Sequence, residues 1–254
     1  MLTPEQIQRF TRTGHLTVEG VFPPDRMELA IEVAHRWGEE FLGKINEDQR
    51  HWYLEGKSSE VGRLRKMDNP VYHQEVFRDL ACDPRLVEMV EQLIGRGVRV
   101  FFSQVFFKPP EGGGPKPIHQ DNYYFGPDQR DAMVTAWIAL DEATVENGCL
   151  FYGDGSNAEP ILEHTAPPDQ PFNLHVPGEI AARYAMTPAP VRQGGVSFHH
   201  GHTLHQSSSN TSRKFRRAAA LHFLRNDARL VNPRLDFDPS LEVVVGEASG
   251  EPRV

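Results

Sequence analysis

The sequence predicts a mainly β protein with helices: a β core preceded by a helical N-terminal layer. Three observations carry this reading. Helical spacing of apolar residues is confined to about the first 96 positions. From Val98 onward the apolar runs are short, β-branched and aromatic. Turn signals such as Asn147-Gly148, Asp154-Gly155 and Gly194-Gly195 separate many of those runs. Helices first and many short strands afterwards make a β core with a helical cover.

Each element follows from local chemistry. Thr3-Pro4-Glu5-Gln6 reads as a helix start, with Thr3 as N-cap and Pro4 in the first turn, and Gly14 ends that helix. Met27, Leu29, Ile31, Val33, Ala34 and Trp37 give helical spacing from about Asp25 to Leu42. The segment from Asn46 to Asn69 is polar and poorly periodic. It is long for a plain connection and reads as a lid or extended arm over a site. Asp83 to Ile94 is an amphipathic helix closed by Gly95. Val98–Phe107 is a buried strand, and Glu111–Pro117 is a Gly/Pro loop. Strands are expected at His119–Phe125, Met133–Leu140, Cys149–Tyr152, Val196–His199, Leu204–Ser207 and Ala218–Leu224. Leu241–Val245 reads as an edge strand or a loose end. The chain, 1–254, is expected to be a single domain, with a helical layer over about 1–96 and a core over about 97–235.

Composition excludes several function classes. Hydrophobic residues at 39% and charged residues at 24% describe a folded globular chain rather than a disordered one. The net charge is −8 with no basic stripe, so nucleic acid is not an expected partner. No apolar stretch approaches membrane-spanning length, so no membrane partner is expected. Two cysteines, Cys82 and Cys149, do not make a disulfide framework. With no signal peptide at the N-terminus and no peroxisomal address in Glu-Pro-Arg-Val, a cytoplasmic location is expected. The oligomeric state stays open.

The chemistry concentrates in His119-Gln120-Asp121, followed far downstream by His205 and Arg216. In an extended strand residues i and i+2 point to one face, so His119 and Asp121 can offer an imidazole and a carboxylate to one metal ion. His205 is the best-placed third ligand. Two His and one carboxylate leave other coordination positions open, which points to a non-haem Fe(II) oxygenase. Arg216, eleven residues after His205, can bind the far carboxylate of 2-oxoglutarate in a bidentate pair. Alone, His119-Gln120-Asp121 also reads as a surface His beside a turn Asp. His199, His200 and His202 compete with His205, and spacing alone does not choose among the four.

Four stretches resemble the phytanoyl-CoA dioxygenase family: Leu2 to Gly14, Lys108 to Phe125, Trp137 to Gly148, and His205 to Arg216. The likeness runs from about residue 2 to about residue 225 in the family's motif order. It implies a double-stranded β-helix core, the jelly roll of cupin-like proteins. It implies Fe(II) as cofactor, 2-oxoglutarate and O2 as co-substrates, and hydroxylation of a small organic molecule with release of succinate and CO2. The family pattern selects His205 over its neighbours, with His199, His200 and His202 as a polar strand end near the site mouth. It assigns Arg216 to the keto acid and matches Ser207, whose hydroxyl shares a face with His205. Ser208 to Thr211 supply turn chemistry for a hairpin that would bring His205 and Arg216 together. Gln104 resembles a position that contacts 2-oxoglutarate, and its plain alternative is a sheet-edge amide. Related halogenases lack a carboxylate at the Asp121 position, so its presence favours hydroxylation.

Other residues complete the expected pocket. Tyr123 and Phe125 share the inward face under strict alternation and would line a substrate channel, with aromatic core as the alternative. Arg63, Arg65 and Lys66 form a basic cluster in the lid, with Arg65 a candidate contact for a substrate anion. A solvated charge run is the alternative. Trp137 is expected to pack, His222 to be a satisfied core histidine, and Arg217 to make a surface pair. The chain departs from the family at Gly155-Ser156-Asn157, where a histidine often follows Gly-Ser, which weakens any inference about substrate. The same iron centre can instead desaturate, cyclise or epoxidise. A non-catalytic or zinc-binding jelly roll is the reading from another class.

Overall fold

The computed structural model describes residues 1–54, 64–166, 173–235 and 237–245. The chain opens with α1 (Pro4–Thr13), in which Thr3 and Gln6 cap reciprocally and Gly14 closes the helix at φ 80°. Strand β1 (His15–Val18), α2 (Pro24–Leu42), α3 (Arg50–Tyr53), β2 (Lys66–Asp68), α4 (Pro70–His73), α5 (Glu75–Ala81) and α6 (Pro84–Ile94) follow. Asp83 caps α6 through the Arg85 amide and receives Arg26 of α2 at 2.6 Å, which ties the two helices. The strands come next: β3 (Val98–Lys108), β4 (Lys116–His119), the short helix α7 (Asp121–Phe125), β5 (Met133–Ala139) and β6 (Leu150–Gly153). Then come α8 (Gly178–Ala181), β7 (Met186–Ala189), β8 (Val196–His200), β9 (His205–Ser207), β10 (Arg216–Arg225) and β11 (Val243–Val244).

Two antiparallel sheets result. The major sheet runs β1-β8-β5-β10-β3-β11, with β2 also on β3, and the minor sheet runs β4-β9-β6-β7. Strand β5 shows why the sheets face each other. All seven of its residues are buried. Val134, Ala136 and Ile138 join the core made with α1, α2, α5 and α6, whereas Trp137 and Ala139 join Leu150 and Tyr152 of the minor sheet. A strand covered on both faces needs this continuous apolar run, with period 2 deciding which layer each residue meets.

The helical layer and the strand-rich core match the sequence reading, and of the two alternatives left open after Leu241 the edge strand forms. Two expectations are corrected. The strand expected at His119–Phe125 stops at His119, because Asp121 to Phe125 wind into α7, closed by Gly126 at φ 59°. No hairpin joins His205 to Arg216: β9 lies in the minor sheet and β10 in the major one. The intervening turn is a crossover, held where Asn210 donates to the carbonyls of Lys108, Pro109 and Lys214. The segment 46–69 contains α3 and β2, and Arg63 lies outside the described residues.

Candidate active site

The site lies where the two sheets face each other. In the minor sheet His119 of β4 stands directly opposite His205 of β9, which stands opposite Tyr152 of β6. The two imidazoles are therefore neighbours, with ring centroids 4.1 Å apart. The chain leaves β4 through extended Gln120, whose fully buried amide bonds to Pro160, Leu162 and His202, and then turns into α7. That turn aims Asp121 across the gap. Its Oδ1 lies 3.7 Å from His119 Nε2 and 3.6 Å from His205 Nε2. One donor atom from each of the three residues falls within 4.8 Å of the others. All three are buried.

The major sheet supplies the opposite wall. A transverse row of directly paired residues, His199 of β8, Thr135 of β5 and His222 of β10, faces Asp121. Thr135 Oγ1 donates to Asp121 Oδ2 at 2.6 Å, and His199 Nε2 lies 3.0 Å from the same oxygen. The next row places Ser197, Trp137, Ala220 and Gln104 side by side. Arg216 begins β10 at the far end. The side chains enclose a cavity of about 240 Å³ that touches His119, Asp121, His205, Ser207, Gln104 and Arg216 together.

Electrostatics fit an anion and a cation in that space. Burial pushes the Arg216 guanidinium down to about 10. Its Nε has no hydrogen-bond partner, and no carboxylate pairs with it among the described residues. Its charge sits 5.4 Å above the Trp137 ring. A buried guanidinium left in this state calls for an anionic partner. Burial opposes ionisation of Asp121, yet His205 and His199 outweigh it and hold the carboxyl well below the usual carboxylate range. Burial, and then His205, pushes His119 well below the usual imidazole value, and burial lowers His205 too, which favours the neutral imidazoles a metal needs. Each Nδ1 lies against a carbonyl, Pro117 for His119 and Thr203 for His205, which leaves Nε2 as the free donor atom.

The cofactor pair read from the sequence therefore has residues that suit it: two imidazoles and a carboxylate for a divalent metal, and an unpaired guanidinium for a dicarboxylate. The family's sequence profile matches residues 10–218. The chain belongs to the phytanoyl-CoA dioxygenase family. It is accordingly an enzyme of the 2-oxoglutarate-dependent non-haem iron dioxygenase class, with iron and 2-oxoglutarate as cofactors. Phytanoyl-CoA dioxygenase domain-containing protein 1 of Rattus norvegicus is 25% identical over 95% of this chain and 97% of its own length. A probable alpha-ketoglutarate-dependent hypophosphite dioxygenase of Stutzerimonas stutzeri is 27% identical over 88% and 79%. Among solved structures, the carbocyclase SnoK of nogalamycin biosynthesis superposes with TM-score 0.73 at 22% identity, covering 96% of both chains. EctD from S. alaskensis, solved with bound Fe, gives 0.73 at 21% over 99% of this chain and 85% of its own. These likenesses show the fold, a jelly-roll core.

Most of the residues nominated from sequence meet in one cavity; four readings change. Tyr123 does not line it. The helical turn swings its ring onto His164 at 4.0 Å, and Tyr124, which the sequence pattern does not single out, takes the cavity position against His119. Phe125 does line it, packed on His222 at 4.8 Å. His199 is not a strand end at the mouth but a buried wall residue touching Asp121, while His200 and His202 bond to Asp131 and to the Glu159 carbonyl instead. His222 is only half satisfied: Nδ1 meets Thr135 at 2.9 Å and Nε2 has no partner among the described residues. Arg65 and Lys66 do reach the cavity, beside Lys116, whose ammonium burial pushes down to about 7, aided by both neighbours. Gln104 lines the cavity while donating to Asp68 at 2.7 Å. Trp137 packs, as expected, and also faces the cavity. Arg217 forms its surface pair with Asp141 at 2.7 Å. Both cysteines are free.

Proposed function

We propose that the protein hydroxylates a small organic molecule in an Fe(II)- and 2-oxoglutarate-dependent reaction that releases succinate and CO2, with residues 1–254 acting as one domain. His119, Asp121 and His205 hold the iron. Arg216 holds the far carboxylate of 2-oxoglutarate through its two-pronged guanidinium, with the Ser207 hydroxyl as a second donor. Gln104 lines the keto-acid side of the pocket. An iron ion held by these residues would supply the activation of O2 against a substrate C–H bond. Trp137 and Tyr124 shield that space from water and give it shape. Phe125 and Arg65, on the other walls of the cavity, are where a substrate is expected to touch. The carboxylate at Asp121 fills the position that a halide needs in related halogenases, which favours hydroxylation.

The observation that carries this reading is Arg216, buried without a carboxylate partner among the described residues, in the cavity that also holds the three metal-binding side chains. A zinc site or a plain binding fold leaves that charge without a task. Solved relatives include an epimerase complexed with iron and alpha ketoglutarate and EctD with 2-oxoglutarate and 5-hydroxyectoine, which supports small-molecule chemistry of more than one outcome. The test is Arg216→Ala, assayed by anaerobic titration with Fe(II) and then 2-oxoglutarate. Loss of a buried charge pair, about 2 kcal/mol or more, predicts at least a ~30-fold rise in the 2-oxoglutarate requirement with iron affinity kept. Normal 2-oxoglutarate dependence would show that another cation does the clamping.

A further inference from the structure

The two oxygens of Asp121 have different surroundings. Oδ1 faces the two imidazoles of the minor sheet at 3.7 and 3.6 Å. Oδ2 faces the major sheet and is already engaged, by Thr135 Oγ1 at 2.6 Å and His199 Nε2 at 3.0 Å. We propose that Thr135 and His199 are positioning residues that hold Oδ2 away from the metal, so that Asp121 ligates through Oδ1 alone, and that His222 fixes the direction of the Thr135 proton. This rests on the metal reading above.

Proton counting supports the assignment. An ionised carboxylate only accepts, and a threonine hydroxyl has one proton to give. That proton goes to Oδ2, over the shorter of the two contacts that Thr135 makes. His222 Nδ1, 2.9 Å from Thr135 Oγ1, must then be the donor in its own contact, and its Nε2 is left as a bare lone pair among Phe101, Phe102 and Phe125. On the other side His199 gives its Nε2 proton to Oδ2. Its Nδ1 accepts from the Tyr152 hydroxyl at 3.2 Å, and that oxygen accepts from Ser197 at 2.8 Å. Every proton in the chain has one direction. The sheet sets the spacing of this row, because His199, Thr135 and His222 are direct cross-strand partners on three adjacent strands. Two imidazoles and one carboxylate oxygen occupy half of an octahedral metal's positions. A carboxylate that swung to bind through both oxygens would take a position needed by the keto acid or O2.

The experiment is Thr135→Val, which keeps the shape and removes the hydroxyl, compared with Thr135→Ser and the wild type. Each is titrated anaerobically with Fe(II), then 2-oxoglutarate, while the visible charge-transfer band of the chelate is recorded. The expected result for Thr135→Val is stoichiometric iron, a shifted or weakened band, and 2-oxoglutarate affinity lower by about tenfold or more, with Thr135→Ser restoring both. A wild-type band and unchanged 2-oxoglutarate affinity in Thr135→Val would overturn the positioning role and leave the metal site intact. Iron retained by Asp121→Ala would overturn the metal reading itself. Should Thr135→Val not fold, His199→Leu against His199→Gln takes its place: a shifted band and weaker 2-oxoglutarate binding support the positioning role, and wild-type values of both overturn it.

Discussion

At the scale of single residues, the site separates groups that bind from groups that hold. His119→Ala or Asp121→Ala is expected to abolish tight Fe(II) binding while far-ultraviolet circular dichroism stays native, because each side chain reaches into a cavity rather than the apolar core. Unchanged iron affinity in both variants would sink the ligand assignment. The binding groups are legible in the chain, since a two-residue spacing and a conspicuous arginine suffice to nominate them. The holding groups are not. Thr135 and His222 look like ordinary strand residues, and only cross-strand register sets them beside Asp121. Alternation carried past His119 points to Tyr123 rather than Tyr124. One helical turn exchanges the two rings, and α7 carries no apolar period long enough to announce it.

At the scale of elements, capping and turns decide stability. Asp83 serves α6 as N-cap and α2 as ion-pair partner. Burial would raise its pKa, but hydrogen bonds from Arg85 and Arg26 outweigh that and bring it down to about 2. A depressed carboxyl stabilises the fold above its unfolded value, about 3.9, and that contribution is lost as pH falls toward 2. Urea midpoints at pH 6 and pH 3 should therefore fall more for wild type than for Asp83→Asn, and Asp83→Ala should cost about 1 kcal/mol at pH 6. Gly194 has φ 79°, and a Cβ there would run into the Phe22 carbonyl, which lies beside the Phe22 amide bonded to Gly194 O. Gly194→Ala is expected to lower stability by more than about 1 kcal/mol, read as a shifted midpoint at constant slope. The long elements α1, α2, α6, β3, β5 and β10 are readable because caps and periodicity run over many residues. The short ones, β1, β2, α4 and β7, are not, because their stability comes from partners distant in sequence. The expected hairpin after Ser207 fails for the same reason: its turn residues serve a crossover pinned by Asn210.

At the scale of the whole molecule, the cavity is walled by both sheets, so a metal and keto acid bound there as proposed would bridge them. Ligand that binds only the folded state at a hundred times its dissociation constant adds about 2.7 kcal/mol. For a chain of this size that corresponds to a rise in thermal midpoint of roughly 5–10 °C. Adding Fe(II) and 2-oxoglutarate should produce it in wild type and not in His119→Ala; equal rises in both would place the stabilising site elsewhere. The row His199–Thr135–His222 has one more consequence, for the order of events as the protein matures. Its three members are drawn from strands separated by 64 and 23 residues of chain, and His205 is 86 residues from His119. His199–Thr135–His222 forms with the major sheet and His119–His205 with the minor one, so long-range strand pairing must precede both. The newly made polypeptide thus holds no miniature of the iron site. Metal loading is therefore expected to follow strand pairing, so protein refolded without iron should already show the native far-ultraviolet spectrum and bind Fe(II) on addition.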